Sequence, residues 1–335
     1  MSKGNIYVGV DLHKRKFTFV MLNAAGEEVS RGTRSTETGS VADFSSGLNN
    51  HHQVVFEPVE NGYWFGEHLG HYAGSVHVAN PYRVRLIAES RMKSDRVDAR
   101  ILADLLRVGY LPEVYIPSAE VQHWRRLVSH RIRLVRDRSR LKHRVAGLIN
   151  REGYRIKASD SFGKSGRAEL DSLPLSVFLR QMVDSNLVMA DVLNGQITVL
   201  DAEIATIAAS DEVVALLRTI DGVAAFSALA IRSVIGEITR FRSPRALAAY
   251  IGLVPSCRQS ADTRHDGPIT KQGSATLRWV LIQAVPHAVR HTDYLKRMYS
   301  RICFRGSVAK ARVAVAHALA RIIYHVWTEA RPYYR

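Results

Sequence analysis

The chain has 335 residues, 46% of them hydrophobic, enough for two or three domains with buried cores, and this excludes global disorder. Its 47 Lys and Arg against 31 Asp and Glu leave a formal charge of +16, a balance expected of a protein whose partner is a polyanion, most simply nucleic acid. Two cysteines, Cys257 and Cys303, exclude a disulfide framework or a zinc ribbon; no apolar run reaches about 18 residues, so no membrane partner is expected, and an N-terminus without a signal-peptide core predicts a cytoplasmic protein, nucleoid-associated when acting.

Residues 5–116 read as α/β. Ile6–Leu12 and Phe17–Leu22 have strand patterns, Ala24-Ala25-Gly26 marks a turn, and a third strand follows near Glu27–Thr33. A polar helix near Val41–Leu48 precedes a strand at Val54–Glu57, a helix at Gly62–Tyr72 and a strand at Val76–Ala79. Pro81 then opens a further helix. The order suits a mixed sheet with its first strand near the centre, as in the RNase H fold, so the first domain is expected over residues 1–118.

Residues 119–212 read as two long helices joined by a polar Ser159–Gly166 link. Leu127, Leu134, Leu141 and Leu148 repeat every seven residues, widened by Val128, Val135 and Ile149. The second helix carries Ala190, Leu193, Ile197, Leu200, Ile204 and Ile207, so a coiled-coil hairpin or bundle is expected. Arg131 and Arg138 flank the first seam, which argues against an uninterrupted zipper. Residues 121–157 hold twelve Lys/Arg and two acids (12 − 2 = +10), whereas residues 176–212 hold one Arg and six acids (1 − 6 = −5). Part of the basic face can pair with the acidic helix, and the excess can track phosphates.

Residues 213–335 read as a third, mostly helical unit. Leu217–Val223 resembles a helix-hairpin-helix turn at Gly222, although an ordinary helix–Gly–helix turn fits it as well. Tyr250–Pro255 leads into a polar loop reaching Gly273. Helices resume over Ser274–Val285, where Pro286 is expected to kink or end them, and again over Ser307–Trp327.

Two stretches carry chemistry. Asp11 and Glu57 each end an apolar strand pattern, and Asp95 and Asp98 lie three apart at the start of a helical one. Carboxylates at neighbouring strand ends can converge, and an i, i+3 pair adds two more from one helix face. Like charges held together call for a cation, and Mg²⁺ favours such oxygen ligands. Glu60 competes with Glu57, and Asp95 and Asp98 would also serve as plain helix N-terminal acids. Arg91, Lys93, Arg96 and Arg100 are placed to offset that charge or hold phosphate. The Val8-Gly9-Val10-Asp11 run also suits an actin-like phosphate loop, but the second Gly-rich Asp loop such proteins need is missing. In the 255–273 loop, a serine among Arg258, Arg264 and Lys271 is a candidate nucleophile toward phosphate. Candidate nucleic-acid contacts are Arg125, Arg126, Arg131, Arg133, Arg136, Arg138, Arg140, Lys142 and Arg144 on the basic helix, with Arg258, Arg264, Lys271 and Arg278 around the loop.

Together these blocks resemble the DEDD-type transposases of insertion-sequence family one hundred and ten, relatives of the pilin-gene invertase. The matching pieces are Tyr7-Val8-Gly9-Val10-Asp11, Phe56-Glu57-Pro58 with Gly62-Tyr63-Trp64, Lys93-Ser94-Asp95-Arg96-Val97-Asp98-Ala99-Arg100, and Ile220-Asp221-Gly222-Val223. Leu247-Ala248-Ala249-Tyr250-Ile251-Gly252-Leu253-Val254-Pro255, Ser260, Lys271-Gln272-Gly273 and Leu277-Arg278 complete the set. The resemblance implies a RuvC-like nuclease domain, a coiled coil over 119–212 and a C-terminal transposase domain over 213–335. It implies Asp11, Glu57, Asp95 and Asp98 as Mg²⁺ ligands and Ser260 as a nucleophile forming a phosphoserine–DNA intermediate, with Ser256 the alternative. It implies donor and target DNA and a structured bridge RNA as partners, and a homodimer pairing into a tetramer. Two other readings remain at this level: a Holliday-junction resolvase or nuclease using metal-activated water, and a non-catalytic nucleic-acid-binding protein.

Overall fold

The computed structural model describes residues 4–88, 94–260 and 263–334, and of residues 257–266 no side chain is described. The chain divides into two compact units, one ending at Ile116 and the other beginning at Pro117.

The first unit runs β1 (Ile6–Leu12), β2 (Lys16–Leu22), β3 (Glu28–Ser35), α1 (Thr38–Ser46), β4 (His52–Phe56), α2 (Gly62–Gly70), β5 (Ser75–Val78), α3 (Pro81–Ile87) and α4 (Asp95–Arg107). Its five-stranded sheet has the order β3-β2-β1-β4-β5. β1 pairs antiparallel with β2 and parallel with β4, which places β1 at the centre. Strand alternation then sorts its side chains. Val8, Val10 and Leu12 enter a core with Phe17, Phe19, Phe44, Phe56 and Phe65. Gly9 and Asp11 face the other way, toward α4. On that side Val20 and Leu22 cluster with Ala99 and Ala103, while Val55 clusters with Leu102, Leu105 and Leu106.

α4 approaches β1 closely because both surfaces are small. A Cβ added to Gly9 would collide with the Ala99 carbonyl oxygen and lie 2.6 Å from the Ala103 nitrogen. The helix starts where the sequence supplies a cap: the Ser94 hydroxyl accepts the Val97 N–H, leaving Asp95 and Asp98 in the first turn.

The second unit contains α5 (Ala119–Arg151), α6 (Lys164–Asp171), α7 (Val177–Ser210), α8 (Glu212–Leu217), α9 (Ala225–Ile235), α10 (Pro244–Ile251), β6 (Pro255–Ser260), β7 (Thr263–Ile269), α11 (Ala275–His291), α12 (Asp293–Arg305) and α13 (Val308–Thr328). Val121, Trp124 and Ile132 of α5 share one core with Ile204 of α7, Leu229 of α9, Leu281 of α11 and Leu319 of α13. Val145 and Ile149 form a smaller cluster with Leu170, Val183 and Leu187. Among the described residues, no helix is long and apolar enough to cross a membrane.

Four expectations are corrected here. The α5 seam is not a strict leucine heptad: Leu134 and Leu148 are only half-buried, and the buried positions include Val121, Trp124, Val128, Ile132, Leu141, Val145 and Ile149. Polar bonds to α7 interrupt it, with Arg131 donating to Asp201 at 3.0 Å and Arg138 to Asn194 at 2.8 Å. The Ser159–Gly166 link is cut short by α6, which begins at Lys164. The polar loop after Pro255 is an antiparallel hairpin of β6 and β7, whose backbone pairing needs no apolar alternation. Finally, α11 continues through Pro286 to His291. The proline removes a single backbone donor, and burial of Leu281, Ala284, Val285 and Ala288 holds the helix on both sides of it.

Gly222 has a positive φ of 87°, and a Cβ there would lie 2.5 Å from the Ala284 carbonyl oxygen. Its backbone is therefore packed against α11, which accounts for this glycine as part of a helix–Gly–helix turn.

Candidate metal centre

The end of β1 and the start of α4 bring together three groups able to bind a cation. One oxygen each from Asp11 and Asp95 and a ring nitrogen of His13 all lie within 4.8 Å of one another. His13 Nε2 is 3.1 Å from Asp11 Oδ2 and 3.7 Å from Asp95 Oδ1. Lys16, at the start of β2, donates to Asp95 Oδ2 at 2.6 Å. The tight Gly9–Ala99 packing sets this geometry, since it holds the first turn of α4 over the strand end bearing Asp11.

The electrostatics follow from these positions. Burial pushes the Asp11 carboxyl above its ordinary range, offset by His13 and reinforced by the charges of Asp95 and Asp98. The hydrogen bond from Lys16 holds Asp95 below the usual range. Asp98 thus belongs to the same field, one turn along α4. A divalent cation would offset the charge these carboxylates accumulate. Two oxygens and an imidazole nitrogen fit Mg²⁺ acceptably and Mn²⁺ better, because imidazole is a softer donor.

Glu57 directly follows β4. The parallel ladder pairs Gly9 with Val55 and Val10 with Phe56, so Asp11 and Glu57 stand one step beyond its last pair. Alternation puts Glu57 in phase with Val55, whose side chain clusters with Leu102 of α4. Glu60 is exposed in the turn before α2, so the register favours Glu57 over it. Arg96 and Arg100 do not offset the aspartates. Both pair with Glu28 on β3, at 3.1 and 3.3 Å. Arg91 and Lys93 lie outside the described residues.

Sequence reasoning missed His13 and Lys16. Asp11-x-His13-x-x-Lys16 crosses the β1–β2 turn, and only the antiparallel register returns Lys16 to the carboxylates.

In the second unit, Ser260 ends β6 and pairs with Thr263 across the hairpin turn. Its side chain, with those of Arg258 and Arg264, lies outside the description. The Ser256 hydroxyl donates to the Pro268 carbonyl at 3.0 Å, a structural role within the hairpin. Lys271 is exposed and has a positive φ of 54°.

The basic residues of α5 fall into two groups. Arg125 donates to the carbonyls of Ser233 and Val234, and Arg144 to Asn186, joining Arg131 and Arg138 in intramolecular bonds. Arg278 likewise donates to the Ile251 carbonyl at 2.9 Å. Lys142 sits 4.8 Å from the Phe162 ring centroid and 3.6 Å from Asp160. Arg140 pairs with Asp137 on the surface. The remaining four arginines of α5, Arg126, Arg133, Arg136 and Arg151, are exposed and have no ion pair among the described residues.

Comparison with known proteins supplies the context for this geometry. A family model of IS110 DEDD transposases, described as "Transposase", matches residues 8–152, and a second, described as "Transposase IS116/IS110/IS902 family", matches residues 214–300. The chain is 26% identical to the transposase for insertion sequence element IS1111A of Coxiella burnetii over 97% of its own length and 90% of that protein's. It is also 26% identical to a probable family 20 transposase of Pseudomonas aeruginosa, covering 95% of each chain. A transposase for insertion sequence element IS1328 of Yersinia enterocolitica is 22% identical over 82% of this chain and 84% of that protein. The first model includes Asp11, Glu57, Asp95 and Asp98 and the second lies wholly within the second unit: along nearly its whole length the chain is similar to the DEDD transposases of the IS110 family.

Proposed function

We propose that this insertion-sequence transposase is a Mg²⁺-assisted recombinase that cuts and rejoins DNA through a serine ester. The observation that carries the metal-dependent reading is the convergence of Asp11 and Asp95 at the end of β1, inside the field of Asp98. The sheet order β3-β2-β1-β4-β5, with carboxylates at the ends of its two central strands, supports an RNase H or RuvC-like first unit.

In this reading Asp11, Glu57, Asp95 and Asp98 hold the metal. A bound Mg²⁺ supplies charge neutralisation at a scissile phosphate. Asp11, Asp95 and His13 position the centre, and Lys16 orients Asp95 through its hydrogen bond. Ser260 is the nucleophile: its Oγ bonds to phosphorus as the P–O bond to the departing strand breaks, and the serine proton ends on the departing oxygen. A free DNA hydroxyl then reverses the exchange on a new strand. One phosphoester replaces another at each step, so no nucleotide hydrolysis is needed. The three functional parts are residues 1–118, 119–212 and 213–335. Donor and target DNA are selected by pairing with a bridge RNA, and homodimers pair into a tetramer around them; the family resemblance supports these two elements.

The test uses a DNA substrate nicked beside the cleavage site. The parent protein should form a covalent adduct that is stable to denaturation and absent in Ser260→Ala. Asp11→Asn should lose both the adduct and calorimetric Mn²⁺ binding. Strand exchange that persists in Ser260→Ala would assign the nucleophile elsewhere. Sequencing the RNA that copurifies with the protein should yield one discrete species; bulk cellular RNA alone would refute guidance.

A further inference from the structure

The second unit contains a cleft of about 340 Å³ where α5 faces α11. Arg131, Val135, Arg136, Arg140, His143 and Trp279 line it. Trp279 is 38% exposed, so part of its ring is open to solvent at the cleft. Its ring is not loose: it meets Phe226 edge-on, with centroids 6.5 Å apart and planes at 72°. Phe226 is in turn covered by the Arg131 guanidinium at 4.3 Å, and Arg131 is tied to Asp201. The exposed face of Trp279 is therefore a fixed platform on a rigid support.

The groups that line the cleft beside this platform are basic rather than acidic. Arg136 has no ion pair among the described residues, His143 is exposed, and the Arg140 side chain is 75% exposed, with Asp137 its surface partner at 2.8 Å. An aromatic face beside the unpaired Arg136 and the exposed Arg140, whose partner Asp137 is itself on the surface, suits a ligand that is both flat and anionic. A nucleotide has this character, and the volume lies within the range of clefts that take ligands of that size. A paired base keeps both faces stacked inside its helix, so only an unstacked base offers a free face to an aromatic side chain.

We infer that this cleft is a single-strand nucleic-acid site, with one unstacked base lying on Trp279 and its flanking phosphates on Arg136 and Arg140. The inference rests on the nucleic-acid reading above and adds to it a strandedness and a stacking residue. Single-stranded DNA and RNA share the recognised chemistry, so both enter the test.

The experiment measures anisotropy of labelled oligothymidylate, oligouridylate and a DNA duplex of equal length with the full chain. Trp279→Ala should weaken single-strand binding about tenfold or more and leave duplex binding unchanged. Trp279→Phe should retain most of the single-strand affinity. The Arg136→Gln/Arg140→Gln double variant should weaken it and flatten its salt dependence. The tighter of the two single-strand arms identifies the source. Unchanged single-strand affinity in Trp279→Ala, or an equal fall for duplex and single strand, overturns the site. A parent protein that binds none of the three probes instead overturns the nucleic-acid reading beneath it. Should Trp279→Ala fail to fold, crosslinking of bromouracil-substituted oligonucleotide to the parent decides: the modified peptide must contain Trp279, and modification elsewhere alone refutes the site.

Discussion

The Ala99 carbonyl oxygen occupies the space that a Cβ on Gly9 would need. This contact fixes the height of α4 over β1, and Asp11 lies two residues along the strand on the same face. Gly9→Ala should therefore act twice. It should destabilise the first unit by about 1–3 kcal/mol through overpacking and lower divalent-ion affinity by moving Asp95 away from Asp11. Gly39→Ala is the control: its Cβ meets nothing within 4 Å, and Gly39 is exposed on α1. Thermal melts and Mn²⁺ titration on both variants check the pair. Equal behaviour would show that the helix shifts without consequence.

His13 adds a nitrogen donor to a centre otherwise made of carboxylates. His13→Ala should leave Mg²⁺ binding nearly intact, since Mg²⁺ favours oxygen, and should reduce the advantage of Mn²⁺ over Mg²⁺. Calorimetry with the two ions separates the effects. A loss of equal size for both would give His13 a purely structural part.

The two carboxylates that the structure brings together were legible in the sequence because each sits at a local signal: Asp11 after an apolar strand and Asp95 behind the Ser94 cap. The central place of β1 was legible too, since the strand and helix order narrows the sheet topologies available. His13 and Lys16 were not, because they reach the site through the β1–β2 register rather than through spacing. The hairpin after Pro255 escaped for a different reason. Its strands read as polar in the sequence, and a pairing made through the backbone carries no alternating apolar pattern to detect. The heptad in α5 misled because Leu134 and Leu148 keep the spacing while Arg131 and Arg138 take the contacts with α7.

The two groups of arginine on α5 should separate in mutagenesis. Arg131 bonds Asp201 twice and covers Phe226, so Arg131→Ala should cost about 1–2 kcal/mol of stability. Arg133 is exposed and has no partner among the described residues. Arg133→Ala should leave the melting temperature unchanged and reduce the salt slope of DNA binding by about 0.9 for one lost phosphate contact. Melting curves and binding isotherms at several salt concentrations test both. A stable Arg131→Ala protein, or an Arg133→Ala protein with an unaltered slope, would dissolve the distinction.

His317 gives the fold a pH dependence of known sign. It lies half-buried on α13, and burial, aided by Arg321 one turn away, depresses its imidazole below the ordinary histidine value. The folded state therefore favours the neutral ring. Below about 6.5, where an unfolded histidine takes up its proton, the unfolded chain binds more protons than the folded one. Stability contributed at this position then rises with pH through that window and falls on acidification, levelling once the folded ring itself protonates. His317→Gln removes the group, so the melting temperature of the parent should fall relative to that of the variant from pH 8 toward pH 5 (chosen to bracket the ordinary histidine range of about 6.5). A difference that stays constant across that range would show that His317 does not titrate in linkage with folding.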